Sequence, residues 1–377
     1  MPSGVVAYVT ARFRAPATPG TTTEHFVLRT LAGVTLADSG VAITIISTTA
    51  DAPAPTVVPM IPIAPAPSGA EANFIPFLPQ YKNEPTMRVG VAYYKPTNTG
   101  WVPQRIRATV PVRVTREDGG LIATVPAGTA VNIDYRPTDR TYHIHINNTW
   151  YTEHQPIRVT PTTSAPLELA SYTKKLVWEG NRADNHFRGT IEIRYASTGY
   201  VWTINELPLE EYLKGLVETN DRAPAEFHAA QVIAARSFAL FHIASGGKYT
   251  KGKFVLTGTA SDQVYRGDDG AKRRPNLVRA VEATRGIVMT YDDRVAVTPY
   301  FAQSNGSTRD YTSVWGGAPK AWLASVADPP ICTGKRLIGH GVGMSQRCAM
   351  QLASNGWNFQ SILHHFYTGV ALQKVYE

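Results

Sequence analysis

The sequence is poor in cysteine, in charge and in long apolar runs. Cys332 and Cys348 are its only cysteines in 377 residues. Two cysteines cannot build a disulfide framework, although they can form one bridge. No stretch reaches the roughly 18 consecutive apolar residues expected of a membrane-crossing helix. Residues 1–17 lack the basic start and apolar core of a secretory leader. The expectation is therefore either a cytoplasmic protein or a chain that begins after a removed leader. Charged residues make up only 18% of the chain and hydrophobic residues 43%, which describes a globular protein long enough for more than one domain. What charge there is leans positive, at +8, and this favours an anionic partner such as nucleic acid, acidic polysaccharide or cell wall. No nucleic-acid motif accompanies it. The densest basic cluster, Lys272-Arg273-Arg274 with Arg279 nearby, reads as a solvated face.

Residues 1–50 alternate apolar and polar residues in short runs, as in Val5–Val9 and Val41–Ile45, and predict a small β module. Residues 51–86 are rich in Pro and Ala and read as a linker. The remainder, 87–377, is expected to be one domain with a β-rich part over 87–170 and a core over 171–377. In the first part Val110, Val112 and Val114 alternate before a turn at Asp118-Gly119-Gly120. Tyr142, Ile144 and Ile146 alternate against His143 and His145, so the two histidines share one strand face. With no third ligand evident, that face reads as half-exposed surface. Further strands are expected at 176–178, 190–193, 201–204, 254–256, 286–289 and 296–301.

The pattern changes near Leu207. Leu209, Tyr212, Leu213, Leu216 and Val217 follow helical spacing, with Pro208 suited to a first turn. A second helix opens at Pro224 and closes by Gly246. Its alanine-dense middle, residues 229–237, predicts a helix buried on several sides. Gln231 and Arg236 on such a helix must find polar partners or line a substrate cleft. Two helices close the chain, one from about Met344 with Cys348 and Leu352 on its apolar face, the other carrying Phe359, Ile362, Leu363 and Phe366. The fold class expected is α+β, β-rich with grouped helices.

The most informative stretch is Gly339-His340-Gly341-Val342-Gly343-Met344-Ser345-Gln346. Glycines let a backbone turn sharply and approach a ligand, so this loop can present His340, Ser345 and Gln346. It lacks the Gly-Lys-Ser/Thr ending of a phosphate loop. It is the fifth of six ordered motifs. The others are 207–215 (Leu-Pro-Leu-Glu-Glu-Tyr-Leu-Lys-Gly), 234–240 (Ala-Ala-Arg-Ser-Phe-Ala-Leu), 261–267 (Ser-Asp-Gln-Val-Tyr-Arg-Gly), Ser304–Thr308 with Val314-Trp315-Gly316, and the closing His364–Gly369. Together they resemble the SpoIID/LytB family of bacterial cell-wall proteins. The resemblance covers roughly residues 87–377 and not the first 85. It implies an extracytoplasmic protein, secreted, periplasmic or wall-associated, with peptidoglycan glycan strands as partner. Its enzymatic members are lytic transglycosylases that cleave between N-acetylmuramic acid and N-acetylglucosamine and leave a 1,6-anhydro end. Others are enhancers of wall amidases, so an amidase is a second implied partner. No nucleic acid, cofactor or metal is implied.

One departure matters. The family's Gly-Val-Val-Pro-Ser-Glu-Met-Pro carries the catalytic glutamate, and an ungapped match from Gly215 puts Asn220 in its place. Glu218 and Asp221 are the nearest carboxylates. Glu218 is taken as the acid, because it follows the apolar Leu216-Val217 and an apolar setting raises a carboxyl pKa. Its competing reading is a solvated helix face paired with Lys214, four residues earlier. One carboxylate suffices for a transglycosylase, because the sugar's own 6-hydroxyl attacks the anomeric carbon. Tyr300 and Ser304, where a strand enters a polar turn, and His340 are expected to line the cleft with Gln231 and Arg236. Gln346 and Ser345 either join them or cap the following helix. Trp315 and Trp322 either stack on sugars or pack in the core. Cys348 is expected packed and inert, with Cys332 more exposed. A zinc site of Cys332, His340 and Cys348 offers only three ligands in no usual spacing.

Overall fold

The structure, a computed structural model, describes residues 20–26, 41–47, 83–97, 103–172, 175–176, 180–332 and 336–377. The chain divides into two units, Met1–Gly69 and Ala70–Glu377. Most of the expected linker, the run Val5–Val9 and the core of the strand expected at 176–178 lie outside the described residues. In the first unit, strands Gly20–Phe26 and Val41–Ser47 pair antiparallel, Gly20 opposite Ser47.

The second unit is α+β and rich in strands. Its main sheet has seven strands, in the spatial order Leu256–Thr257, Thr86–Tyr94, Val201–Pro208, Thr190–Tyr195, Ile157–Pro161, Val112–Arg116 and Leu121–Val125. Only the first pairing is parallel. A six-stranded sheet runs His186–Phe187, Leu167–Leu169, Gln104–Ala108, Val131–Arg136, Thr141–Ile146 and Thr149–Glu153. The period of two in these sequences is the cause: Val112 and Val114 are buried while Arg113 is exposed, and Tyr142, Ile144 and Ile146 are buried while His143 and His145 are not. His143 contacts Thr141 and Asp139, and the His145 ring packs at a tilt against Trp150, with centroids 4.5 Å apart. That face is half-exposed strand surface.

The helices are α1 (Leu209–Lys214), α2 (Ala225–Ala244), α3 (Gly267–Lys272), α4 (Pro275–Ala283), α5 (Tyr311–Trp315), α6 (Gln346–Ser354) and α7 (Phe359–Phe366). Pro224 stands at the N-cap of α2, and Gly246, with φ +82°, follows its end. Small side chains let α4, α6, α7 and strand Ile287–Tyr291 all approach α2, so the helix is apolar around most of its circumference.

Two expectations are corrected. The first helix stops at Lys214 rather than running through Val217. A Cβ on Gly215 would stand 2.5 Å from the Tyr265 ring, so only glycine lets the chain pass there. Beyond it, Leu216 bridges to Tyr265 and Val217 N–H donates to the Val264 carbonyl at 2.8 Å. The basic cluster at 272–274 is not simply a solvated face either. Arg273 pairs with Asp184 at 2.6 Å, and buried Arg274 donates to the Thr219 carbonyl.

Candidate active site

The short pairing of 215–217 with 264–266 aims the next residue, Glu218, inward. Its carboxyl accepts the Val264 N–H at 2.5 Å. The surrounding protein desolvates it and pushes its pKa up to about 7, against the opposing pull of the Val264 N–H and of Arg266. Lys214 pairs with Glu211 and Glu282 instead, so the ion-paired helix face is not what forms. Asp221, the other candidate acid, is held elsewhere: its carboxylate accepts the Asn276 and Leu277 N–H groups at the start of α4. Asn220 is an exposed turn residue whose side chain accepts the Arg222 N–H.

Around Glu218 three segments distant in sequence converge. Gln346 Nε2 donates to the Glu218 main-chain carbonyl at 3.3 Å and to Gln231 Oε1 at 3.2 Å. Gln231 is only 2% exposed, and its own amide nitrogen has no hydrogen-bond partner among the described residues. A buried donor left open beside an acid suits a ligand acceptor. Tyr300 accepts from Gln263 Nε2 at 3.1 Å, and Gln263 Oε1 accepts from Tyr212 at 2.8 Å. Burial and the Glu218 charge hold both phenols well above their ordinary range, so they remain donors at neutral pH. His340 accepts the Val342 N–H at Nδ1 and bonds the main chain of Tyr300. Burial lowers its pKa, which favours the neutral ring. Its ring sits between Phe301 and Trp315, with centroids at 5.6 and 4.8 Å. The loop can lie this close because Gly343 has φ +76°, and a Cβ there would meet the Pro299 carbonyl at 2.0 Å.

Glu218, Gln231, Tyr300, His340 and Gln346 therefore belong to one connected neighbourhood. Ser304 lies just beyond, fully buried, bonded to Ser345 Oγ through both its N–H and its hydroxyl. Ser345 thus supports the Ser304 turn and does not cap α6 with its side chain. Arg236 is not brought to the cleft. It is 0% exposed and spends its guanidinium on Glu210, Thr284, Val281 and Ile287. Trp322 is core, and Trp315 is exposed at 47%. Sequence pattern marks neither Gln263 nor the Val264 N–H as a site group, although both lie in the 261–267 motif. A side chain that is polar and wholly buried can be recognised only once its neighbours are known.

A groove of about 740 Å³ opens at Glu218, with Arg182, Arg222, Arg273 and Arg274 on its walls. Cys332 and Cys348 are bonded to each other. This corrects the inert thiol and removes the ligands that a zinc site there would need. Among the described residues no group of three or more His, Cys, Asp or Glu converges on a point. The bridge ties α6 to the loop before it and closes 16 residues, a loop length for which chain entropy gives about 3 kcal/mol. Reductant should lower the melting temperature of the protein and leave a Cys332→Ser/Cys348→Ser variant unmoved. Equal melting with and without reductant would contradict the bridge.

Glu218 also carries a stability signature. Above pH ~7 the folded chain must hold an ionised carboxylate in a setting that disfavours it, whereas below the ordinary glutamate pKa of ~4.3 both states are protonated and the penalty vanishes. Glu218→Gln is therefore expected to stabilise the fold by about 3 kcal/mol at pH 8 and by little at pH 4. Thermal melts at the two pH values check this; a gain independent of pH would refute it.

The family described as SpoIID, Stage II sporulation protein, matches residues 197–291, which include Glu218, Gln231 and Gln263. The Stage II sporulation protein D of Bacillus amyloliquefaciens is 32% identical over 141 residues, 34% of this chain and 40% of that protein. Its Bacillus subtilis (strain 168) counterpart is 30% identical over the same shares. An uncharacterized protein of Brachyspira hyodysenteriae is 34% identical over 117 residues, 30% of this chain and 31% of that protein. The chain thus spans between about a third and two-fifths of the length of these relatives. Over residues 197–291 the chain is similar to the SpoIID family, and its likeness to the two Stage II sporulation proteins D agrees with that match.

Proposed function

We propose that the protein is a lytic transglycosylase of peptidoglycan glycan strands, with Glu218 as acid and then base. One observation carries the reading: a carboxyl at a groove, poised near pH 7 by desolvation, while the other carboxylate of the groove, Asp221, is taken up by the first N–H groups of α4. A general acid works best with its pKa near the working pH, and no second carboxylate is needed when the attacking oxygen belongs to the sugar. Protonated Glu218 would give its proton to the glycosidic oxygen as the C1–O bond breaks. The muramic acid 6-hydroxyl would then bond to C1 and return its proton to Glu218. No water is consumed, and the product is a 1,6-anhydro end. Gln231, Gln346, Tyr300 and His340 would hold the sugar, and the arginines of the groove suit an anionic substituent.

Likeness to the SpoIID family supports a cell-wall role, and the net charge of +8 suits the anionic wall. The Cys332–Cys348 bridge supports an extracytoplasmic site, because such bonds persist in oxidising compartments. No described helix is long and apolar enough to cross a membrane. A second reading, a glycan-binding enhancer of a wall amidase, is favoured by Asn220 standing where an ungapped match places the family's glutamate. Incubation with purified glycan strands followed by mass spectrometry separates the two. Anhydro-ended fragments support cleavage; binding without release supports the enhancer.

A further inference from the structure

A second concave surface of the same unit shares no lining residue with the groove at Glu218. Strand Val201–Pro208 begins at this surface, and its other end leads into α1. At its start Trp202 pairs in register with Tyr93 of strand Thr86–Tyr94. The register shifts beside them, between Thr203 and Ile204, and such a bulge re-aims side chains. The Tyr93 ring lies 4.7 Å from Trp202 and 5.4 Å from Tyr200; Trp202 lies 4.6 Å from Phe254, and Phe254 stacks on Tyr249 at 4.8 Å. Five aromatic rings thus form a continuous row. Gly90 makes room for it, because a Cβ there would stand 2.8 Å from Phe254 and 3.0 Å from Trp202. The groove they line holds about 670 Å³. Tyr93 is 53% and Tyr200 38% exposed, a costly display of aromatic surface unless something covers it.

The rim is not apolar. Thr198, Thr259 and Ser261 offer hydroxyls, and Lys248 and Lys251 add positive charge. Lys248 is held by Asp262; Lys251 is exposed and has no ion-pair partner among the described residues. Flat rings flanked by hydroxyls and ammonium groups match a sugar ring, whose faces are apolar C–H and whose edges are polar, when it also bears a carboxylate. A purely apolar ligand would leave the hydroxyls and lysines unanswered. The 257–264 segment connects this groove to the acid. Ser261 lines the groove, and Val264, three residues on and within about 11 Å along the chain, donates to Glu218.

We propose that this aromatic groove is a second carbohydrate site, which binds an acidic glycan at a distance from the cleavage point. It rests on the glycan reading for the nature of the ligand, but not on cleavage. It predicts that affinity for glycan grows with chain length until both grooves are filled, and that the distant part of the affinity depends on Tyr93 and Tyr200.

The test uses the full chain carrying Glu218→Gln, so that the ligand is not consumed. Calorimetry with peptide-free peptidoglycan glycan strands is compared with neutral chitooligosaccharides of matched length. Adding Tyr93→Ala and Tyr200→Ala should weaken binding of long strands by tenfold or more. Each stacked ring contributes on the order of 1 kcal/mol, which is about fivefold. Both side chains are substantially exposed, so the melting temperature should fall only slightly, through loss of the Tyr93–Trp202 contact. Lys251→Glu should weaken the acidic strands severalfold and the neutral oligosaccharides little. Unchanged binding of long strands by the tyrosine variant overturns the site while leaving the glycan reading standing. No glycan binding by the Glu218→Gln parent overturns both. Competition by a wall stem peptide but not by sugars would show the groove to be a peptide site and overturn the proposal.

Discussion

Replacing Glu218 by glutamine should remove glycan cleavage, with a loss of about 10²–10⁴-fold in turnover, the usual contribution of a positioned general acid. Glutamine matches the shape and can still accept the Val264 N–H that now meets the carboxyl, so binding and fold should survive. Only the proton disappears. The wild-type rate should also depend on pH in a definite direction. The acid must be protonated to act, and its pKa is pushed up to about 7 by desolvation. Activity should therefore fall as pH rises through about 7, toward a tenfold loss per unit. The alkaline limb should be absent from any residual activity of the glutamine variant. Asp221→Asn makes the control. That carboxylate receives the first N–H groups of α4, so its loss should lower stability and leave the pH profile in place. If Glu218→Gln releases anhydro-ended fragments at the wild-type rate, the assignment of the acid is wrong. If Asp221→Asn is folded and inactive, the acid is Asp221.

Arg236→Leu should destabilise the protein by about 3–5 kcal/mol, the cost of stripping one partner from a buried ion pair. The physical reason is the setting of Glu210. Burial alone would raise its pKa, but the bidentate bond from Arg236, with Nε and Nη2 each 2.8 Å from a carboxylate oxygen, and a further bond from Tyr376 hold it below the ordinary range. Without the guanidinium, a carboxylate stays behind in a dry interior. The same arginine donates to Val281, Thr284 and Ile287, so α1, α2, α4 and the strand Ile287–Tyr291 lose a common anchor. Chemical denaturation at pH 7 gives the number. A Glu210→Gln/Arg236→Leu double variant should recover part of the loss, because the abandoned charge is gone. A cost near zero for Arg236→Leu, with catalysis impaired, would move the residue from the framework into the cleft.

The two residues show where reading a sequence reaches and where it stops. Gln231 and Arg236 both sit on α2, and its alanine-rich run announced a buried helix. From that position either could face a ligand or a partner. Gln231 meets the loop of Gln346 and keeps an open donor, whereas Arg236 meets Glu210. The difference is set by which elements pack on each side of α2, and no local pattern records it. Glu218 shows the same limit from the other side. Leu216-Val217-Glu218 continues a helical spacing, so its carboxyl could have been solvated. Crowding at Gly215 and the pairing with 264–266 turn the chain out of the helix and bury the carboxyl against a main-chain N–H.

The sequence by itself determined the strand-rich, α+β character, the buried α2, the glycine loop around His340 and the family resemblance. These rest on the period of side chains, on alanine's small volume and on glycine's freedom at positive φ, all properties of short stretches of chain. Tertiary structure decided which carboxyl was desolvated, that Cys332 reached Cys348, that Arg236 became framework, and that Tyr93, Tyr200, Trp202, Tyr249 and Phe254 formed one row. Each of these depends on residues far apart along the chain being brought within a few ångströms, and burial and pKa are properties of that assembled neighbourhood.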